Sequence, residues 1–443
     1  MTTVATAVQR NPLDTWMAAR IGIEANDPTP EAIRSVQLRA VQQTVAWARQ
    51  RSAFYAARLA GLPAGWPHDI EDLAQIPLTS PEDIIAGGHS FVCVPQSEIT
   101  RIVSLETSGT SGMRKRIFFT AEDQEQALDF FAYGVASMAG VGDRMLIAMP
   151  GEREGSVGFQ IARGIARAGV TPIPHGFVVD PAATLARIEK EKVTLLIGLP
   201  VQMLALAQAH CGRQLRNVHT IVLCSDHVPQ SLTRSICNLT GCRIFEHYGS
   251  TEMGLGGGVD CMAHAGYHLR EADLYFEVVS PQTGEPVPDG EAGEVVFTTI
   301  ARRAMPLIRY RTGDLSRFLP GPCACGSPLR RLERVRCRVQ SSVILGPQGS
   351  VTLADLDEAL FAIEGLGDFQ AAVVQEPRRA LEVRVYAAAD PTRVAAQVER
   401  ALHSIPAIAA NHACGALHCA VHLQDEPFPV TGAKRVIGME RPR

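Results

Sequence analysis

The sequence predicts an α/β protein built on a largely parallel sheet, with a smaller α+β unit at its C-terminal end. Three observations carry this reading. Short apolar runs alternate with helical stretches between about 140 and 225, two alternating strands flank a polar loop around 275–300, and a fresh set of helices and strands begins after about 333. At 443 residues the chain is too long for one compact core, so a large domain over 1–333 and a smaller one over 334–443 are expected.

The first hundred residues read as helical. Thr29-Pro30 supplies an N-cap followed by proline at the first helical position, and Ile33, Val36, Ala40, Val41 and Val45 recur at helical spacing. Arg144 to Met149, Val193 to Gly198 and His219 to Leu223 are short apolar strands, and Asp180-Pro181 opens a helix reaching about Lys192. Buried strands separated by helices imply a parallel sheet, whose ligands gather beyond the carboxyl ends of the strands. Tyr275 to Val279 and Glu294 to Thr298 alternate as antiparallel strands around the loop Pro281 to Gly293. The C-terminal unit contains a helix over Leu353 to Ile363, strands over Phe369 to Gln375 and Leu381 to Ala387, and a helix over Val394 to Leu402.

Hydrophobic residues make up 46% and charged residues 20%, a globular composition. A net charge of -4 argues against bulk nucleic-acid binding. No apolar run is long enough to span a bilayer, and Met1 to Arg20 lack the pattern of a signal peptide, so a cytoplasmic protein without a membrane partner is expected. Eleven cysteines then read as thiols or metal ligands.

Three segments carry chemistry. Thr107-Ser108-Gly109-Thr110-Ser111-Gly112, followed by Arg114 and Lys115, is too small and polar to pack a core. It can expose backbone N–H groups and hydroxyls to an anion, or it is a flexible surface loop. Glu246-His247-Tyr248-Gly249-Ser250-Thr251-Glu252 follows a strand over Arg243 to Phe245, and Glu252 is a hard oxygen donor suited to magnesium. Arg309 to Asp314 ends in a carboxylate able to accept two hydrogen bonds.

In order and spacing these segments resemble three motifs of the acyl-adenylate-forming (ANL) superfamily. The first is similar to Ser-Gly-Thr-Thr-Gly-x-Pro-Lys, with Arg114 in place of the proline and Lys115 at the lysine. The second resembles Tyr-Gly-x-Thr-Glu and the third Tyr-Arg-Thr-Gly-Asp. The resemblance implies a large adenylate-forming domain with parallel sheets flanked by helices, plus a smaller mobile domain. It also implies ATP/AMP and Mg2+ as cofactors. Thr107 to Gly112 and Lys115 would hold phosphates, with Glu246, His247, Gly249 and Ser250 in the nucleotide segment. Tyr248 would contact adenine, Thr251 the phosphate or acyl group, Glu252 magnesium and Asp314 the ribose.

Arg51 to Tyr55 and Ile76 to Asp83 resemble the phenylacetate–CoA ligase-like branch. Relatives there carry a structural Zn2+, which a Cys261, His268, Cys323 and Cys325 set could hold, with His264 as the competing imidazole. Relatives also place a Gly-Arg and an aspartate at the domain junction. Arg334 keeps the arginine, Cys337 stands where aspartate is expected, and Leu345 to Gly349 match poorly the loop that receives coenzyme A. Relatives end in Gly-Lys-x-x-Arg. Aligning Arg435-Val436 puts Gly432 at the lysine, and a shifted register makes Lys434 the catalytic lysine.

The expected activity is conversion of a small carboxylic acid to acyl-AMP, followed by transfer to coenzyme A. A carrier protein, an amine or another acceptor is the alternative, and a non-catalytic nucleotide-binding regulator is the rival of another class. Glycines over 155–159 and 254–258 leave room for a flat ring, pointing to an aromatic acid, and Arg153, Asp226 and His227 are candidates to read its substituents. A homodimer is common among relatives.

Overall fold

A computed structural model describes residues 11–22, 28–106, 114–210, 214–339, 341–375, 379–430 and 434–440. The chain forms two compact units, one from Met1–Gly142, Glu154–Val170 and His247–Arg334, the other from Asp143–Arg153, Thr171–Glu246 and Val335–Arg443. The mixed α/β architecture matches the class expected from the sequence, and among the described residues no helix is long and apolar enough to cross a membrane.

The second unit holds the parallel strands. Thr171–Pro174, Arg144–Ala148, Leu195–Gly198, Thr220–Leu223 and the start of Arg243–Tyr248 lie side by side in that order. Leu146 faces Leu196, and Val222 faces Phe245. Every residue of Leu195–Gly198 and Thr220–Leu223 is buried, which is why these strands read as continuous apolar runs. The segment after 335 adds a sheet in the order His418–Gln424, Ala380–Ala387, Leu366–Val374, Gly438–Glu440. It shares one apolar core with the parallel strands, in which Leu232 and Ile236 join Leu356, Leu360 and Phe361. One junction between the units lies at 334/335, and residues 143–153 and 171–246 lie in the same unit as the C-terminal segment. The helix expected to reach Ile363 stops at Leu360.

Helix Gln230–Thr240 begins after Pro229, which has no side chain able to cap it. Glu358 does so instead: its carboxylate accepts from the N–H groups of Gln230 at 2.6 Å and Ser231 at 3.0 Å. A negative charge at a helix N-terminus satisfies orphan donors and complements the helix dipole.

In the first unit, Thr29 caps helix Pro30–Arg51 as its sequence foretells. Strands Arg101–Glu106 and Arg114–Phe119 form an antiparallel pair, and Thr120 and Asp123 form a capping box that starts helix Ala121–Ala136. Leu274–Val279, Gly293–Thr299 and Tyr310–Ser316 form an antiparallel sheet with Phe276 opposite Phe297. Arg309, just before the last strand, is fully buried with φ +48. Its guanidinium meets Glu277 at 3.0 Å and donates to the carbonyls of Ala74, Ile76 and Gly284 at 2.9, 2.7 and 2.9 Å.

Removing one partner of a buried pair strands the other charge. Arg309→Ala is therefore expected to cost about 3–5 kcal/mol of stability, measured by urea unfolding. A loss below about 1 kcal/mol, the range of surface pairs, would show that the pair does not hold the sheet.

Candidate active site

Residues from all three sequence motifs meet within the first unit. The strand ending at Tyr248 turns sharply, with the N–H groups of Met253 and Leu255 bonding back to the Ser250 carbonyl at 3.2 and 2.8 Å. Gly249 is required here: a Cβ would lie 2.2 Å from the Leu255 carbonyl oxygen. The turn delivers Glu252, 6% exposed, to Lys115. Tyr310 completes the group, its hydroxyl donating to Glu252 at 3.2 Å and accepting from the Lys115 ammonium at 3.1 Å. Burial opposes the Glu252 charge, but the Lys115 ammonium and its hydrogen bond outweigh it and hold the carboxyl below its usual range.

Asp314 arrives through an irregularity in the sheet. Arg311 pairs with Val296 and Leu315 with Glu294, so Thr312 to Asp314 oppose the single residue Val295. The Thr312 hydroxyl donates to the Val295 carbonyl at 2.7 Å, and the Gly313 N–H to Glu294 at 3.0 Å. This bulge brings Asp314 to the Tyr248 hydroxyl, 2.9 Å away. Tyr248 also stacks on Tyr267 at 5.6 Å. A carboxylate and a phenol fixed side by side, next to an ammonium–carboxylate pair, can bind a polyhydroxylated, anionic ligand.

Thr107 to Gly112 lie outside the described residues. Thr251 sits in the turn, its carbonyl accepting from Gly254 at 3.0 Å. Ser250 helps hold the Glu252 charge. Glu246 is buried in the strand beside Leu223. His247, on the opposite face of the strand, stacks on Phe131 at 5.7 Å and tilts against Phe130 at 6.0 Å. Its Nε2 is buried without a partner among the described residues. Burial, then Arg270, pushes the imidazole down to about 4. Arg334 bonds Asp260 at 3.1 Å. In the second unit Lys434 is exposed, beside Arg435, which bonds Asp357 at 2.7 Å. Also there, His227 contacts the Val335 carbonyl at 3.3 Å, and burial raises the Asp226 carboxyl against the pull of Arg435 and Lys434.

Cys261, His268, Cys323 and Cys325 gather with all four ligand atoms within 4.8 Å of one another. Cys261 and Cys323 sulfurs are 3.7 Å apart, and Cys325 sulfur is 3.3 Å from His268 Nε2. Tetrahedral zinc sets sulfur–sulfur edges of about 3.8 Å and sulfur–nitrogen edges of about 3.5 Å, so the cluster fits the ion. His264 instead bonds Asp260 at 3.0 Å and stands outside the set.

Tyr310 sits inside the third motif, but only its hydrogen bonds to Lys115 and Glu252 give it a role. Arg302, 7% exposed and donating to the Glu252 carbonyl at 2.6 Å, is not visible in the sequence, because a charged residue in a loop carries no signal until its burial is known.

Residues 101–301 match the model of the AMP-binding enzyme family. A phenylacetate–coenzyme A ligase of Pseudomonas putida is 30% identical over 71% of this chain and 72% of its own length. One from Thermus thermophilus is 27% identical over 71% and 72%. A solved 2-hydroxyisobutyryl-CoA ligase, in the postadenylation state with 2-HIB-AMP, superposes with a TM-score of 0.77 at 19% identity, over 93% of this chain and 90% of that one.

The low affinity of His247 for a proton has a consequence for stability. The unfolded chain binds this proton near 6.5 and the folded chain near 4, so the contribution is complete above 6.5 and is lost as pH falls toward 4. Urea midpoints of the wild type are expected to drop more steeply over that window than those of His247→Phe. Equal slopes would show that the buried imidazole is not the titrating group.

Proposed function

The chain belongs to the AMP-binding enzyme family, in the phenylacetate–CoA ligase-like branch of the acyl-adenylate-forming enzymes, and on that premise we propose that it activates a small aromatic carboxylic acid as acyl-AMP and passes the acyl group to coenzyme A. The observation that carries this reading is the convergence of Lys115, Glu252, Tyr310, Tyr248 and Asp314, drawn from three distant stretches, within one compact unit.

In the first half-reaction a substrate carboxylate oxygen attacks the α-phosphorus of ATP. The bond from that phosphorus to the bridging oxygen breaks, and pyrophosphate leaves. No protein nucleophile is needed; positioning and charge neutralisation lower the barrier. Asp314 would accept both ribose hydroxyls and Tyr248 would lie against the adenine. Lys115, with the Thr107 to Gly112 segment, would offset charge on the departing phosphates. Glu252 offers the oxygen donor that a hard cation prefers, and magnesium bound there would neutralise phosphate charge. In the second half-reaction the coenzyme A thiol gives its proton to solvent, its sulfur attacks the acyl carbon, and the bond from that carbon to the phosphate oxygen breaks so that AMP leaves. Residues 334–443 are proposed as the mobile domain exchanged between the two steps, a movement that requires their apolar contacts with the parallel strands to part and re-form, with Lys434 as the lysine of the first step.

Cys261, His268, Cys323 and Cys325 are proposed to hold a structural zinc. The ion would tie the segment after the Glu252 turn to the segment after Asp314, a closed site with no catalytic position.

Pyrophosphate release from ATP is expected with aryl acids such as phenylacetate or benzoate, and a thioester after coenzyme A is added. Glu252→Gln and Asp314→Asn are each expected to lower the first step by about 100-fold. Silence across a broad panel of aryl and alkyl acids would defeat the assignment, and acyl-AMP without thioester would move the acceptor away from coenzyme A. One equivalent of zinc is expected by metal analysis, with Cys323→Ser losing both the metal and thermal stability. Metal-free protein of full stability would rule the zinc out.

A further inference from the structure

We propose that Arg302 is a positioning residue for adenylation, holding the Glu252 main chain from behind so that its carboxylate meets the metal–nucleotide in a fixed place. The inference rests on the adenylation reading above. Arg302 lies in the loop between strands Gly293–Thr299 and Tyr310–Ser316 and is 7% exposed. Its guanidinium donates to the Glu252 carbonyl at 2.6 Å and lies over the Phe119 ring at 5.0 Å. Gly254, at φ +76, makes room for it: a Cβ there would stand 3.3 Å from Arg302 Nη2.

The loop that carries Arg302 is itself pinned. Asp123 accepts from the N–H groups of Arg303 at 2.7 Å and Ala304 at 3.0 Å, while also bonding the Thr120 N–H at 3.0 Å. Thr120 directly follows strand Arg114–Phe119, the strand that carries Lys115. The interactions therefore close on themselves: Lys115 to Glu252, Glu252 to Arg302, the Arg302 loop to Asp123, and Asp123 back to the end of the Lys115 strand. A cation buried at this depth is costly, and burial pushes Arg302 down to about 10, against the attraction of Asp123. It stays charged at neutral pH, so its bond to the carbonyl is charge-assisted and short. Groups that orient a metal's carboxylate ligand set its affinity although they never touch the ion.

The test compares wild type with Arg302→Lys and Arg302→Gln. Mn2+ affinity is read by electron paramagnetic resonance with the α,β-methylene analogue of ATP, AMP affinity by calorimetry without metal, and the Mg2+ dependence by acid-dependent pyrophosphate release. Both variants are expected to weaken Mn2+ binding and raise the half-saturating Mg2+ by about tenfold, with AMP affinity held within about twofold. Unchanged metal dependence would overturn the proposal, as would a loss of AMP affinity in proportion to metal affinity, the mark of a role in packing alone. If Arg302→Gln does not fold, Arg302→Lys, which keeps the charge, decides the question. A wild type that binds Mn2+ with the analogue but releases no pyrophosphate would count against the adenylation reading and leave the metal measurement decisive for Arg302.

Discussion

A guanidinium taken out of water must find partners for its donors and a counter-charge, and Arg309 finds them in three separate stretches of chain. Glu277 supplies the charge, while Ala74, Ile76 and Gly284 supply carbonyls. Because the guanidinium is planar and rigid, these partners are fixed relative to one another. The next residue is Tyr310, whose hydroxyl meets both Lys115 and Glu252. Four residues further on, Asp314 meets Tyr248. The strand that bears two of the site's polar groups is thus referenced to the core by one buried ion pair at its start. Strain at φ +48 is tolerated there because so many bonds converge on the same side chain.

The architecture was legible where burial leaves a pattern. Leu195–Gly198 and Thr220–Leu223 are buried along their whole length, and uninterrupted apolar runs reported that directly. Thr29-Pro30 announced its helix because cap chemistry is local. The chemistry was legible where a motif is contiguous: Tyr248 to Glu252 and Asp314 could be named from spacing and resemblance. What could not be read is what depends on distant partners. Arg302 and Asp123 are ordinary charged residues in sequence, and their meaning comes from which carbonyl or N–H they face. The bulge at Thr312 to Asp314 is likewise invisible, since it exists only relative to the register of the neighbouring strand.

The cysteines illustrate both cases. The resemblance implied a zinc set that includes Cys323 and Cys325, but spacing could not choose between two histidines. Three-dimensional placement separates them, with His268 turned to the thiols and His264 to Asp260. Asp260 also engages Arg334, so the last arginine of the first unit is tied to the residue preceding Cys261.

The cap on helix Gln230–Thr240 bears on how the protein is made. Its donors wait for Glu358, more than a hundred residues later, and the unit that contains both is stitched from three separate stretches of chain. During synthesis the helix emerges with its first turn unsatisfied and its apolar face, Leu232 and Ile236, without the partners it has in the finished core. Contacts so far apart in sequence form late, because the intervening chain must first be closed into a loop. The nascent parallel strands therefore pass through an interval of exposed apolar surface that lasts at least until the later core residues, from Leu356 to Ile437, have been made, a window in which a chaperone has something to bind.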